Sequence, residues 1–235
     1  LNLKDQNTLL EPQKNLLDAA IKLRELGKFD LAIDLVEEKI NKFSNNVHLH
    51  AFLSHCYLLK EDLEKASQHL KLAKEINPND ASVGWNETRF LLKKKKVKDA
   101  LNVARKFNER FPKDVEGIGI LGSCLRANNN VEESLSYLNA AIKLDPRYAE
   151  AYVNRGLIKL VQKETSLALA DLEKAHGLKP YIDQIWPILA SIYLSNNNYD
   201  KAEEFYQKLT EKFPLKEQYI YTLGVCQQKK GDLKA

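Results

Sequence analysis

The chain has 235 residues, 44% hydrophobic and 29% charged, with a net charge of +4, a composition ordinary for a soluble protein. No apolar run approaches the roughly 18 residues of a membrane span, and no secretory leader is visible. The sequence is ordered by a period: Pro78, Pro112, Pro146, Pro180 and Pro214 follow one another at intervals of 34 residues. Such a period marks copies of one helix–turn–helix unit stacked as a solenoid, an architecture suited to holding something rather than transforming it.

Placing each proline third from the end cuts the chain into 13–46, 47–80, 81–114, 115–148, 149–182, 183–216 and a shortened 217–235, after a lead-in of residues 1–12. Places in these windows are numbered 1–34. In 13–46 the first helix has Ala20 at place 8, the turn is Gly27-Lys28, and the second helix follows Phe29 with Ala32 at place 20. The next window repeats this with Ser54, a Glu61-Asp62 turn, Leu63 and Ala66, then closes on Asn77-Pro78-Asn79-Asp80. Thr88, Val97 and Ala100 mark 81–114, which closes on Lys113-Asp114; Gly122, the Asn128-Asn129-Asn130 turn, Val131 and Ser134 mark 115–148. Gly156 and Ala168 mark 149–182, with Thr165 in place of a bulky residue; Ala190, Asn196-Asn197-Asn198, Tyr199 and Ala202 mark 183–216. Gly224, a Gly231-Asp232 turn and Leu233 end the chain.

The residues dictate the helices. A proline removes an amide donor and clashes with the preceding turn, so each one stops a second helix. Asn and Asp after it supply turn and cap chemistry. Pro187 lies inside an apolar-periodic segment and is tolerable only in that helix's first turn. Small residues at places 8 and 20 let two antiparallel helices cross closely. Thirteen helices, no strand and no loop longer than about six residues are expected.

With these residues in view, the chain resembles the tetratricopeptide repeat (TPR) family over residues 13–235. The match is fullest from Ala149, Ala151 and Tyr152 through Gly156, Ala168, Leu172, Ala175 and Pro180, and again at Trp186, Leu189, Ala190, Tyr193, Ala202 and Pro214. Window 13–46 departs most: Lys39 replaces the second Ala and Ser44 the proline, as befits a terminal repeat. The resemblance implies an all-α, right-handed superhelical solenoid whose first helices line a groove for peptides or partner segments. It also implies a fragment of something longer, since the chain starts at Leu1, has no Met and stops within a unit.

No catalytic site is expected. Cys56, Cys124 and Cys226 stand whole periods apart at one place and cannot meet in a disulfide or share a metal; they read as buried small hydrophobes, and unpaired thiols lean towards a reducing, cytoplasmic compartment. His48 and His55 lie two helical turns apart, about 10 Å, too far for one metal ion. No phosphate loop, HExxH or nucleophile elbow appears, and no cofactor is expected.

Binding is the expected function. On the outward face of the first helices, helical periodicity places His48, Phe52 and His55; Trp85, Asn86 and Arg89; Arg126; Asn154; then Val153, Leu157 and Val161, and Tyr221. Of these, Phe52, His55, Trp85, Asn86, Arg89, Arg126 and Asn154 are the candidate groove residues, since Trp, Tyr and Arg most often anchor interfaces. The carboxylate clamp of chaperone-adaptor TPR proteins is rejected, because Leu17, Ile21, Ala51, Val153 and Pro187 stand at its places. The asparagine ladder of O-GlcNAc transferase arms is matched only by Asn86 and Asn154.

Window 81–114 holds ten Lys/Arg against four acids, +6 in a chain of +4. Its Lys93, Lys94, Lys95 and Lys96 form a basic patch suited to an acidic protein segment. Nucleic acid is not expected, because the basic residues do not continue into neighbouring copies. The leading expectation is a protein-interaction scaffold; the alternatives are the recognition arm of a larger enzyme (a glycosyltransferase, sulfotransferase or methyltransferase) and a self-assembling structural module.

Overall fold

The structure, a computed structural model, describes residues 11–232. Among these are thirteen α-helices and no strand. In order they are α1 (Glu11–Glu25), α2 (Phe29–Ile40), α3 (Val47–Leu59), α4 (Leu63–Ile76), α5 (Ala81–Lys93), α6 (Val97–Arg110), α7 (Val115–Ala127), α8 (Val131–Leu144), α9 (Ala149–Val161), α10 (Thr165–Leu178), α11 (Trp186–Ser195), α12 (Tyr199–Lys212) and α13 (Glu217–Asp232). The described residues group into two compact units that divide between Tyr137 and Leu138.

Caps and turns explain the boundaries. Side chains of Asn46, Asp62, Asp80, Asp114 and Asn198 accept backbone amides at the starts of α3, α4, α5, α7 and α12, satisfying donors that a helix start leaves orphaned. Pro187 sits in the first turn of α11, where its missing N–H costs nothing. Within the pairs the turn is the same each time. Gly27, Glu61, Lys95, Asn129, Lys163 and Asn197, 34 residues apart, all have φ between 57° and 73°. The next residue's amide reaches five residues back in every case, as in Asp62 N to Tyr57 O and Glu164 N to Lys159 O. This is the Schellman closure, which needs one left-handed residue.

The small places meet as expected. Ala20, Ala32, Ser54, Ala66, Thr88, Ala100, Ser134, Ala168, Ala190 and Ala202 are fully buried. Where a serine stands, its hydroxyl bridges the crossing: Ser54 Oγ donates to Ala66 O at 3.0 Å, and Ser134 Oγ to Gly122 O at 2.7 Å. A Cβ on Gly156 would lie 3.1 Å from Leu172 and 3.2 Å from the Ala168 carbonyl. One expectation at the C-terminal end is corrected. Gly231-Asp232 is no turn: α13 runs through it. Leu233 lies outside the described residues.

The N-terminal unit packs around Leu49, Leu53, Tyr57 and Ala66, and around Trp85, Ala104, Phe107 and Leu121. The C-terminal unit packs around Tyr152, Leu172, Leu189, Tyr193, Phe205 and Leu209.

Candidate protein-binding site

The first helices α1, α3, α5 and α7 of the N-terminal unit bring basic groups to one side of their helices. Arg24 Nη1 lies 3.1 Å from His55 Nδ1 and its guanidinium stacks over the Phe52 ring at 5.4 Å. Arg89 donates to Glu116 of α7. Arg126 is half-buried, and burial lowers its pKa without removing its charge. His55 and Arg89 share place 9, one period apart, which is why the fold sets them on equivalent faces.

Three expected groove residues are elsewhere. Trp85 is only 2% exposed. Its ring runs over Gly117 of α7, where a Cβ would come within 2.4 Å of it, and meets Phe107 and Phe111 edge-on at 5.7 and 6.3 Å. Asn86 is buried, donating to Ala51 O at 3.1 Å and Ser82 O at 2.8 Å, so it ties α5 to α3. Phe52 is buried beneath Arg24. All three join neighbouring first helices instead of presenting themselves to a partner. His55, Arg89 and Arg126 stay half-exposed.

In the C-terminal unit, Asn154 donates to Glu150 O one turn back. Along α9 Val153 and Leu157 are half-buried and Val161 is 82% exposed, and Tyr221 on α13 is 75% exposed. Lys93 to Lys96 form the exposed α5–α6 turn: Lys93 pairs with Glu61 at 2.9 Å, Lys94 lies over the Phe90 ring, and Lys95 is the left-handed residue.

Part of the buried polarity outside these faces follows the period. Places 11 and 23 meet in the core. They hold Tyr57 stacked on His69 and Tyr193 stacked on Phe205, at 5.7 and 5.9 Å between centroids. Each tyrosine hydroxyl donates to a glutamate of the preceding second helix, Glu37 or Glu173, and each ring carries a lysine, Lys65 or Lys201. Burial, with the hydrogen bond to Glu173, pushes Tyr193 up to about 12. In α9 and α10 the same two places hold Lys159 and Asp171. Burial works to raise the Asp171 pKa, but hydrogen bonds from Arg155 and Lys159 outweigh it and hold the carboxyl below its ordinary range.

Sequence alone does not point to the pair His50 and His69, at places 4 and 23, which only the fold brings together. All three cysteines are buried and free, and burial pushes Cys56 and Cys124 up to about 12. Among the described residues no group of three or more His, Cys, Asp or Glu is placed to hold a metal ion, and no helix is long and apolar enough to cross a membrane.

Comparison with known proteins places this architecture. Sequence models of the tetratricopeptide repeat match residues 23–84, 121–181 and 184–211. Anaphase-promoting complex subunit 3 of Schizosaccharomyces pombe is 23% identical over 231 residues; the match covers 95% of this chain but only 35% of that protein. Among solved structures, the type IV pilus biogenesis factor PilW superposes with a TM-score of 0.59 at 16% identity, covering 92% of this chain and all of that one. A TPR protein of Thermus thermophilus gives 0.53 at 24% identity, over 92% and 98% of the two chains. By its 34-residue period, its close helix crossings and these matches, the chain belongs to the tetratricopeptide repeat family.

Proposed function

We propose that this chain is a protein-interaction scaffold whose N-terminal unit takes an acidic segment of a partner on its first-helix face. The observation that carries the reading is the set Arg24, His55, Arg89 and Arg126, drawn from four successive first helices and half-exposed. Guanidiniums in fixed positions match carboxylates bidentately. The exposed Lys93–Lys96 turn adds attraction of the same sign, which acts mainly on association rate. The C-terminal unit offers a second, more apolar surface of Asn154, Leu157, Val161 and Tyr221. A relative aligned over 95% of the chain is by name a subunit of a complex, which supports the same reading.

The test is affinity capture with the chain and with an Arg89→Glu/Arg126→Glu variant, compared by quantitative mass spectrometry and followed by calorimetry on recovered partners. Partners lost from the variant, with affinities that weaken as salt rises, support the proposal. Undiminished affinity for the variant at low salt overturns it.

A further inference from the structure

We propose that the cleft between α4 and the end of α5 is a separate docking site, for a leucine- or isoleucine-sized side chain carried in an acidic segment of a partner protein. The cleft is shallow and open, with a volume of about 450 Å³. Leu63 and Phe90 provide apolar surface, Ser67 and Glu64 lie along α4, and Lys71 and Lys94 also line it.

Comparison between repeats explains why the cleft exists. Ser67 stands at place 21, where the neighbouring copies have Ile33 and Leu101. Both of these pack into their cores, Ile33 buried and Leu101 partly so. At place 10 the neighbouring copies carry Cys56 and Cys124, both fully buried, whereas this position holds Phe90, which stays half-exposed. The Phe90 ring, packed against the cores on both sides, takes up part of the space that a branched aliphatic at place 21 fills one repeat earlier and one repeat later, and the cleft is what it leaves open. A partner's leucine or isoleucine would fill that place.

Charge selects what surrounds the anchor. Lys71 pairs with Glu75 of its own helix at 3.8 Å, and Lys94 lies 5.6 Å from the Phe90 centroid. Lys95, Lys96 and Lys98 follow, exposed, on the adjoining turn and helix. Against them the cleft sets one acid, Glu64. Carboxylates on either side of the anchor fit this balance.

The experiment pans a phage-displayed random-peptide library on the immobilised chain, then measures a synthetic fluorescein-labelled copy of the enriched sequence by fluorescence polarisation. The expected peptides carry a leucine or isoleucine flanked by glutamate or aspartate. Ser67→Leu, the neighbouring repeat's solution, should abolish binding while leaving the melting temperature equal or higher. Lys71→Glu and Lys94→Glu, both on exposed side chains, should each weaken binding roughly 3- to 10-fold at low salt and less at high salt. Arg89→Glu should leave it unchanged, which separates this site from the first-helix face. Absence of enrichment, peptides without acidic bias, binding that survives Ser67→Leu, or binding lost on Arg89→Glu but kept in both lysine variants overturns the proposal.

Discussion

The Nδ1 atoms of His50 and His69 lie 3.1 Å apart within the packing of α3 against α4. With both rings neutral, the hydrogen bonds assign their tautomers. His50 Nε2 faces the Ser44 carbonyl at 3.0 Å and must carry a proton. Its Nδ1 is then an acceptor, so His69 donates from Nδ1. The arrangement is satisfied when both rings are neutral. His69 occupies the place of Phe205 and stacks on Tyr57 as Phe205 stacks on Tyr193. An aromatic core position has thus become titratable.

This pair makes stability depend on pH. Burial lowers both histidines below 6.5, and for His69 the neighbouring His50 lowers it further while Glu37 opposes. Lys65 also lowers His69, and Tyr57 packs on it. With folded pKa values below the unfolded value, the unfolded chain binds more protons between them. Stability is then complete above about pH 6.5 and falls as pH drops below it, at up to about 1.4 kcal/mol per pH unit for each histidine. Thermal melts of the chain from pH 8 to pH 4.5 should show this acid loss, and a His50→Leu/His69→Phe variant should show a shallower one. The same acid limb in both would assign the loss to other groups, His176 among them.

The close crossing of α9 and α10 sets a second expectation. Gly156→Leu or Ala168→Leu forces a branched side chain into a gap already filled to 3.1 Å by Leu172. Overpacking of this kind costs about 1–3 kcal/mol or more. Because repeats couple mainly to neighbours, hydrogen exchange should rise first in α9 and α10. Native-like denaturation midpoints for both variants would contradict the crossing.

How much of this is legible in the sequence depends on which residues carry it. The proline spacing and the small pairs, such as Ser54 with Ala66, declare the period because close approach tolerates nothing larger. The groove is harder, because periodicity gives the outward face of a first helix from that helix alone. Trp85 shows the limit: it leans onto the next first helix, where Gly117 makes room. That glycine, in the first turn of α7 where no left-handed backbone calls for one, is the available signal. His50 and His69 lie 19 residues apart, and only the packing of places 4 and 23 joins them.

Trp85 is therefore a core residue, and its variants should behave as such. Trp85→Ala leaves a cavity between Phe107, Phe111 and Gly117 and should cost about 3–5 kcal/mol. Trp85→Phe loses less volume and also removes an indole N–H that is buried without a hydrogen-bond partner among the described residues. Leaving such a donor unsatisfied costs about 1–3 kcal/mol, so the phenylalanine variant should lie much closer to the original chain. Chemical denaturation of the two variants checks the order. Equal losses would mean that the indole N–H is satisfied in solution.

The last expectation concerns the six left-handed turns. Five of them place a residue with a side chain where φ is positive: Glu61, Lys95, Asn129, Lys163 and Asn197. Asparagine tolerates this region, but for lysine or glutamate the Cβ meets the following carbonyl, at roughly 1–2 kcal/mol. Glycine relieves that clash and gives back part of the gain through its larger unfolded-state entropy. Lys163→Gly should stabilise by roughly 0.5–1 kcal/mol on this balance. The Lys163 side chain is exposed and makes no hydrogen bond or ion pair among the described residues, so little else changes. The reverse substitution, Gly27→Lys, should destabilise by about 1 kcal/mol. Urea titrations of both single variants decide the matter. A destabilising Lys163→Gly would show that the lysine side chain contributes more to this turn than its backbone strain removes.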